Sequence, residues 1–192
     1  MRKFSTLQDA IALAEFAHRN QLDKAGMPFI DHPKRVLASV QAQGVQPYVQ
    51  IAAILHDVVE DTPFTIQMLQ DIGFSEAPCL LVELLTRTGT VPEMEYYKKI
   101  ADAPAAKIIK LADIRDNLTE WRLSYLKEDT QIRLRKKYAH ALEVINGEPQ
   151  FKLSSEKGLK TCGDPSISRN SCYGCFYKPV CSGSQKGKLN TR

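Results

Sequence analysis

The residues best placed to do chemistry lie in Ile54-Leu55-His56-Asp57-Val58-Val59-Glu60-Asp61, where four ionisable side chains interrupt an apolar run. A helix apolar on all sides is a buried one, and burying an imidazole and carboxylates without partners costs several kcal/mol each. A divalent cation supplies the missing partner, because His56 and Asp57 offer it an imidazole nitrogen and a carboxylate oxygen from one helical turn. Glu60 follows His56 by one turn on the same face, so its carboxylate is expected to approach a water beside such an ion without being a ligand. For His56-Asp57 alone, a hydrogen-bonded core histidine and a solvated helix end are the commoner explanation.

Two further segments shift that balance. His32 stands at a loop-to-helix junction, Asp31-His32-Pro33, and Asp113 ends the apolar stretch Ile108-Ile109-Lys110-Leu111-Ala112-Asp113. Three separate segments thus each deliver a plausible ligand, in the order His, His-Asp, Asp. His18 and His140 match no motif, and periodicity reads them as surface or helix-face residues. Arg133 and Lys137 are spaced to reach toward phosphate across a bundle, but a solvated basic face is the expected reading.

The elements that must position these groups are helical, with apolar residues recurring at three- and four-residue spacing from about 6 to 145 and with Gly and Pro as punctuation. Helices are predicted over 6–19, 34–43, 49–59, 65–72, 76–86, 93–101, 105–117 and 128–145, with a loop over 23–33 and a turn over 88–92. Pro33 suits a first helical turn. Strands are hard to find, so the predicted class is an all-α bundle. Cys79, inside a helix, is expected to be an inert core residue.

Taken together, Gln21-Leu22-Asp23-Lys24-Ala25-Gly26-Met27-Pro28-Phe29-Ile30-Asp31-His32-Pro33, Ala52-Ala53-Ile54-Leu55-His56-Asp57-Val58-Val59-Glu60-Asp61-Thr62 and Ile109-Lys110-Leu111-Ala112-Asp113 resemble the HD-domain phosphohydrolases. More narrowly they look like the hydrolase domain of the stringent-response alarmone enzymes, which remove the 3′-pyrophosphate from (p)ppGpp. The resemblance covers roughly residues 5 to 145 and is to a stand-alone hydrolase. It implies an all-α HD-domain bundle in which His32, His56, Asp57 and Asp113 hold one manganese ion. It also implies that Glu60 and Asp61 are the catalytic acids, that Lys24 contacts the substrate phosphates or sits beside the base, and that Asn117 faces the nucleotide. The chain departs from that family at Asp23, where a basic residue is usual before Lys24, and at Ile114, where arginine is usual. Another phosphorylated substrate, such as NADPH or a 5′-nucleotide, therefore stands as an alternative. So does a non-catalytic nucleotide sensor with a nucleic-acid- or partner-binding tail, although the acidic pair favours an enzyme.

After Gly147 the texture turns to Gly, Ser, Lys and Cys, which places a domain boundary between 1–147 and 148–192. Cys162, Cys172, Cys175 and Cys181 have the spacing of a structural metal knuckle, zinc ahead of an iron–sulfur cluster, against a tail with free thiols. The 192 residues, 43% hydrophobic and 25% charged, are those of an ordinary globular protein. No run reaches bilayer-spanning length and no signal peptide is evident, so the cytoplasm is the expected location. The net charge of +4 comes largely from the last third, where nucleic-acid contact is conceivable but solubilising surface is favoured. Oligomeric state is left open.

Overall fold

The computed structural model describes residues 6–147, and the four tail cysteines lie outside the described residues. Ten helices occupy the described residues: α1 (Leu7–His18), α2 (Asp31–Gln41), α3 (Pro47–Leu55), α4 (Val58–Asp61), α5 (Ile66–Ile72), α6 (Glu76–Leu85), α7 (Glu93–Ala101), α8 (Pro104–Asn117), α9 (Glu120–Ser124) and α10 (Glu128–Asn146). No strand forms among them; one isolated bridge joins Leu22 to Pro28.

Local chemistry sets the ends. Thr6 and Asp9 form a reciprocal capping box that opens α1. Pro47 and Pro104 sit at the first positions of α3 and α8, where the missing N–H costs nothing. Gly73 closes α5 at φ 116°, a left-handed conformation that side chains disfavour.

Helix α3 is the centre of the fold. Val49, Ile51, Ala52, Ala53, Ile54 and Leu55 are all buried, and α3 packs against α1, α2, α6 and α8. Burying the whole circumference of a helix requires neighbours on every side, which the four supply. Helix α10 closes the bundle against α7 and α8, burying Leu134, Tyr138, Ala141 and Ile145. No described helix is long and apolar enough to cross a membrane.

Two sequence expectations are corrected here. The continuous helix over 49–59 is broken: α3 ends at Leu55, and Asp57 adopts φ −98°, ψ −7° before α4 begins. The break follows from a competing hydrogen bond, since His56 Nδ1 turns back to the Ala53 carbonyl at 2.8 Å. Helix α2 begins at Asp31, two residues before Pro33, so His32 belongs to its first turn instead of the loop junction.

Candidate active site

His32 comes from the first turn of α2, His56 and Asp57 from the α3–α4 break, and Asp113 from α8. His32 Nε2 lies 3.2 Å from Asp113 Oδ1 and 3.6 Å from Asp57 Oδ2. His56 Nε2 lies 3.2 Å from Asp57 Oδ2. One ligand atom from each of His32, His56 and Asp113 falls within 4.8 Å of the others, an arrangement that could hold a metal ion. The fit is supported by an orphaned atom. His56 Nδ1 donates to the Ala53 carbonyl, leaving Nε2 fully buried and without a hydrogen-bond partner, 3.2 Å from Asp57 Oδ2. A cation satisfies such an atom; another acceptor does not.

The charges are tightly coupled. Burial opposes a charge on His32, but hydrogen bonds to Asp113 and Asp116 and the field of Asp57 outweigh it, raising its pKa to about 9. Burial would likewise push Asp113 up, yet Lys110, His32 and His56 hold it well below the ordinary carboxylate range. Lys110 Nζ sits 2.8 Å from Asp113 Oδ2, and that pairing outweighs burial to hold the ammonium well above its usual value. Asp61 goes the other way: burial, then the charges of Asp57 and Glu60, push its carboxyl up to about 6.

These groups face a cavity of about 370 Å³, which His32, Asp57 and Asp113 line together with Glu60 and Asp61. Lys24 and Asn117 line it as well. Asn117 Nδ2 donates to Asp113 Oδ1 at 2.6 Å, and Glu60 Oε2 accepts the Arg87 backbone N–H at 2.9 Å. The loop carrying Lys24 is shaped by Asp23, whose Oδ1 accepts the N–H groups of Ala25 and Met27, while Gly26 turns the chain at φ 80°. Asp23 Oδ2 accepts from Arg122 Nη2 at 3.2 Å. The carboxylate is thus engaged within the protein instead of facing a nucleotide unpaired. A second hollow of about 360 Å³, lined by Phe16, Phe64 and Met68 among others, holds none of the acids or candidate ligands.

Several residues stand differently from their sequence reading. His18 is buried at 1% exposure: its Nδ1 meets Gln21 Oε1 at 2.7 Å, its ring lies against Phe29, and burial lowers its pKa. Gln21 in turn donates to the Asp61 carbonyl at 2.7 Å, so this histidine braces an acid of the cavity. Lys137 lines the cavity beside Tyr138 instead of joining a solvated face, while Arg133 is exposed. Glu60 and Asp61 are exposed to solvent at the cavity wall, not enclosed in the core as the apolar run suggests. His140 is half-buried, 4.0 Å from Glu143.

Sequence reasoning missed Lys110, Asp116 and Arg122. Lys110, a cation in an apolar stretch one turn before Asp113, carried a readable signal. Asp116 and Arg122 carried none, because Asp116 meets its partners His32 and Arg35 across 84 and 81 positions of chain.

Comparison with known proteins identifies relatives of the chain. Residues 10–119 match the family described as HD domain. The guanosine-3′,5′-bis(diphosphate) 3′-pyrophosphohydrolase MESH1 of Mus musculus is 30% identical over 163 residues, 80% of this chain and 90% of that protein. The GTP pyrophosphokinase of Streptomyces coelicolor is 33% identical over 147 residues, and the chain spans only 17% of its length. The 3′-pyrophosphohydrolase of Aquifex aeolicus is 34% identical over 124 residues, with 18% of its length spanned. A solved metazoan ortholog of SpoT, described as hydrolysing ppGpp and playing a role in starvation responses, superposes with a TM-score of 0.61 at 24% identity, covering 73% of this chain and 85% of its own, a likeness of fold. With more than half its length matched, and a relative covered almost end to end, the chain belongs to the HD-domain family.

Proposed function

We propose that the protein is a manganese-dependent phosphohydrolase that removes the 3′-pyrophosphate from (p)ppGpp. The observation that carries this reading is that His32, His56 and Asp113 each offer a ligand atom within 4.8 Å of the others, with Asp57 Oδ2 3.2 Å from His56 Nε2, beside a cavity lined by an acidic pair and several cations. Relatives bearing the name of that activity, one of them covered over 90% of its length, support the choice of substrate.

His32, His56, Asp57 and Asp113 would hold a single Mn²⁺, a cation suited to imidazole and carboxylate ligands without thiolate. When bound, such an ion supplies Lewis acidity toward water and a phosphoryl oxygen. Glu60 and Asp61 orient the attacking water and take its proton. Asp61, pushed up to about 6, lies near the range where a base is both largely ionised and able to accept a proton. Lys24 and Lys137 offer mobile ammonium groups to the phosphates, and Asn117 faces the nucleotide from α8. Leu22 and Leu126 give the lining an apolar portion on which a base can rest. In the reaction, water oxygen bonds to the phosphorus carried by the ribose 3′ oxygen. That P–O bond breaks, pyrophosphate leaves, and the 3′ oxygen gains a proton.

Residues 1–147 would form the hydrolase unit and 148–192 an appended basic segment, with the cytoplasm as its location. The test of function is incubation of the purified full chain and Mn²⁺ with ppGpp, pppGpp, NADPH and nucleoside monophosphates. Pyrophosphate release from the first two is expected. Phosphate release from NADPH or a monophosphate alone would reassign the substrate, and no turnover with metal demonstrably bound would make the domain a nucleotide sensor.

A further inference from the structure

His32 faces the candidate metal point with one nitrogen and a second charged group with the other. Its Nδ1 lies 2.7 Å from Asp116 Oδ2. Asp116 is itself 9% exposed and clamped from the other side by two guanidiniums. Arg35 donates through Nε to Oδ1 at 2.6 Å and through Nη2 to Oδ2 at 3.1 Å, and Arg122 Nη1 donates to Oδ2. Arg35 is held in turn over the Trp121 ring, 5.1 Å from its centroid.

The protonation pattern of His32 follows from these contacts. Arg122 Nη1 also lies 3.1 Å from His32 Nδ1, which admits two readings: Nδ1 accepts from Arg122, or Nδ1 donates to Asp116. A carboxylate paired with two guanidiniums is an acceptor only. An unprotonated Nδ1 would then face its oxygen, lone pair to lone pair, at 2.7 Å, the shorter of the two contacts. Nδ1 therefore carries a hydrogen and donates it, and the lone pair available to a metal is on Nε2, the atom 3.2 Å from Asp113 Oδ1. His56 reaches the same state by donating Nδ1–H to a backbone carbonyl. The two imidazoles are thus fixed by different means, one by local backbone and one by a long-range ionic cluster.

We infer that Asp116, clamped by Arg35 and Arg122, is a positioning residue that fixes the Nδ1–H tautomer and ring orientation of His32 so that Nε2 faces the metal. This rests on the metal reading of the site. Arg122 extends the same cluster to the nucleotide side, through Nη2 to Asp23 Oδ2 at 3.2 Å and through Nη1 to Asn117 Oδ1 at 3.4 Å. The ligand His32 and the loop bearing Lys24 are therefore braced by one guanidinium.

The test is calorimetric titration of Mn²⁺ into the full-length wild type and Asp116→Asn, with thermal unfolding to confirm that both are folded. Loss of an outer carboxylate behind a ligating histidine is expected to weaken Mn²⁺ binding about 10- to 100-fold. Asp116→Asn/Arg122→Gln removes one of the guanidiniums that the single variant leaves unpaired; it serves if the single variant does not fold, with the same loss expected. Long-range ¹H–¹⁵N spectra of histidine-labelled protein loaded with diamagnetic Zn²⁺ supply a readout that a merely structural role would leave alone. In the wild type His32 keeps Nδ1–H with Nε2 on the metal, and in the variants that signature is lost or mixed. Unchanged affinity and an unchanged tautomer in a folded variant would overturn the positioning role while leaving the metal site standing. A wild type that binds no Mn²⁺ would overturn the metal reading and this inference with it.

Discussion

Lys110 and Asp113 form a buried ion pair one helical turn apart, 2.8 Å from Nζ to Oδ2, and the same carboxylate presents its other oxygen to His32. Asp113 thus balances a lysine and offers an oxygen to a cation at once. Breaking a buried pair from one side leaves the other charge uncompensated, at about 3–5 kcal/mol. Asp113→Ala is expected to abolish measurable Mn²⁺ binding and also to lower stability by about 3 kcal/mol in urea unfolding of the metal-free protein. Adding Lys110→Met should restore much of the stability and none of the metal binding. A double variant no more stable than Asp113→Ala would show that the pair is not the source of the loss.

Metal binding is expected to release protons. His32, raised to about 9 without a metal, is largely protonated at neutral pH, and a ligating nitrogen must give that proton up. Apparent Mn²⁺ affinity should therefore rise with pH up to about 9, by about tenfold per unit for each proton displaced. The metal-free protein behaves oppositely. The folded-state pKa lies above the unfolded value of 6.5, so the stabilisation from His32 is complete below 6.5 and disappears as pH rises through 9. Calorimetry in two buffers of different ionisation enthalpy counts the protons; none released at pH 7 would contradict this account.

Asp61 carries an energetic penalty in the folded state. Its pKa is raised from 3.8 to about 6, chiefly by burial and then by Asp57 and Glu60, so ionising it at neutral pH is unfavourable. The penalty is absent below pH 3.8, grows between there and 6, and is complete above 6. Since the residue is exposed to solvent, screening reduces the effect to about 1 kcal/mol. Asp61→Asn should stabilise the metal-free protein by about that amount at pH 7 and by nothing near pH 3.5, while lowering kcat by at least about 100-fold as a proton acceptor is lost. A variant that retains wild-type kcat would remove Asp61 from the chemistry.

Lys137 is held in a repulsive setting, its pKa lowered by burial and then by Lys110 and Arg87, while it lines the cavity. A bound phosphate relieves that repulsion. Lys137→Ala should raise KM for ppGpp by about tenfold, one charge-assisted contact, with little loss of fold stability. Raising ionic strength should weaken substrate binding to the wild type more than to the variant. Equal salt sensitivity in both would place Lys137 away from the phosphates.

Helix existence was legible because a bundle's apolar period is written locally, and α1, α5, α6 and α7 stand within a residue or two of their expected bounds. The short α9 was not read, for five residues carry too little periodicity to register. The α3–α4 break was hidden because an imidazole-to-carbonyl bond competes with the helix at a position where apolar residues continue on both sides. His18 was misread since a histidine on an apolar helix face looks alike in sequence whether it is capped by solvent or by Gln21.

By itself the sequence determined which residue types are available and in what order, because His-Asp inside an apolar run and Asp at the end of another are local facts tied to burial. Tertiary structure alone decided which partners complete them. Asp116 reaches His32 from α8, Arg35 clamps it from α2 and Arg122 joins both to Asp23. Arg35 stands one turn from His32, but nothing local to α2 announces that both meet Asp116. Ionic and hydrogen-bond pairing depends on distances of a few ångströms in space, and the packing of α2 against α8 brings His32, Arg35 and Asp116 that close.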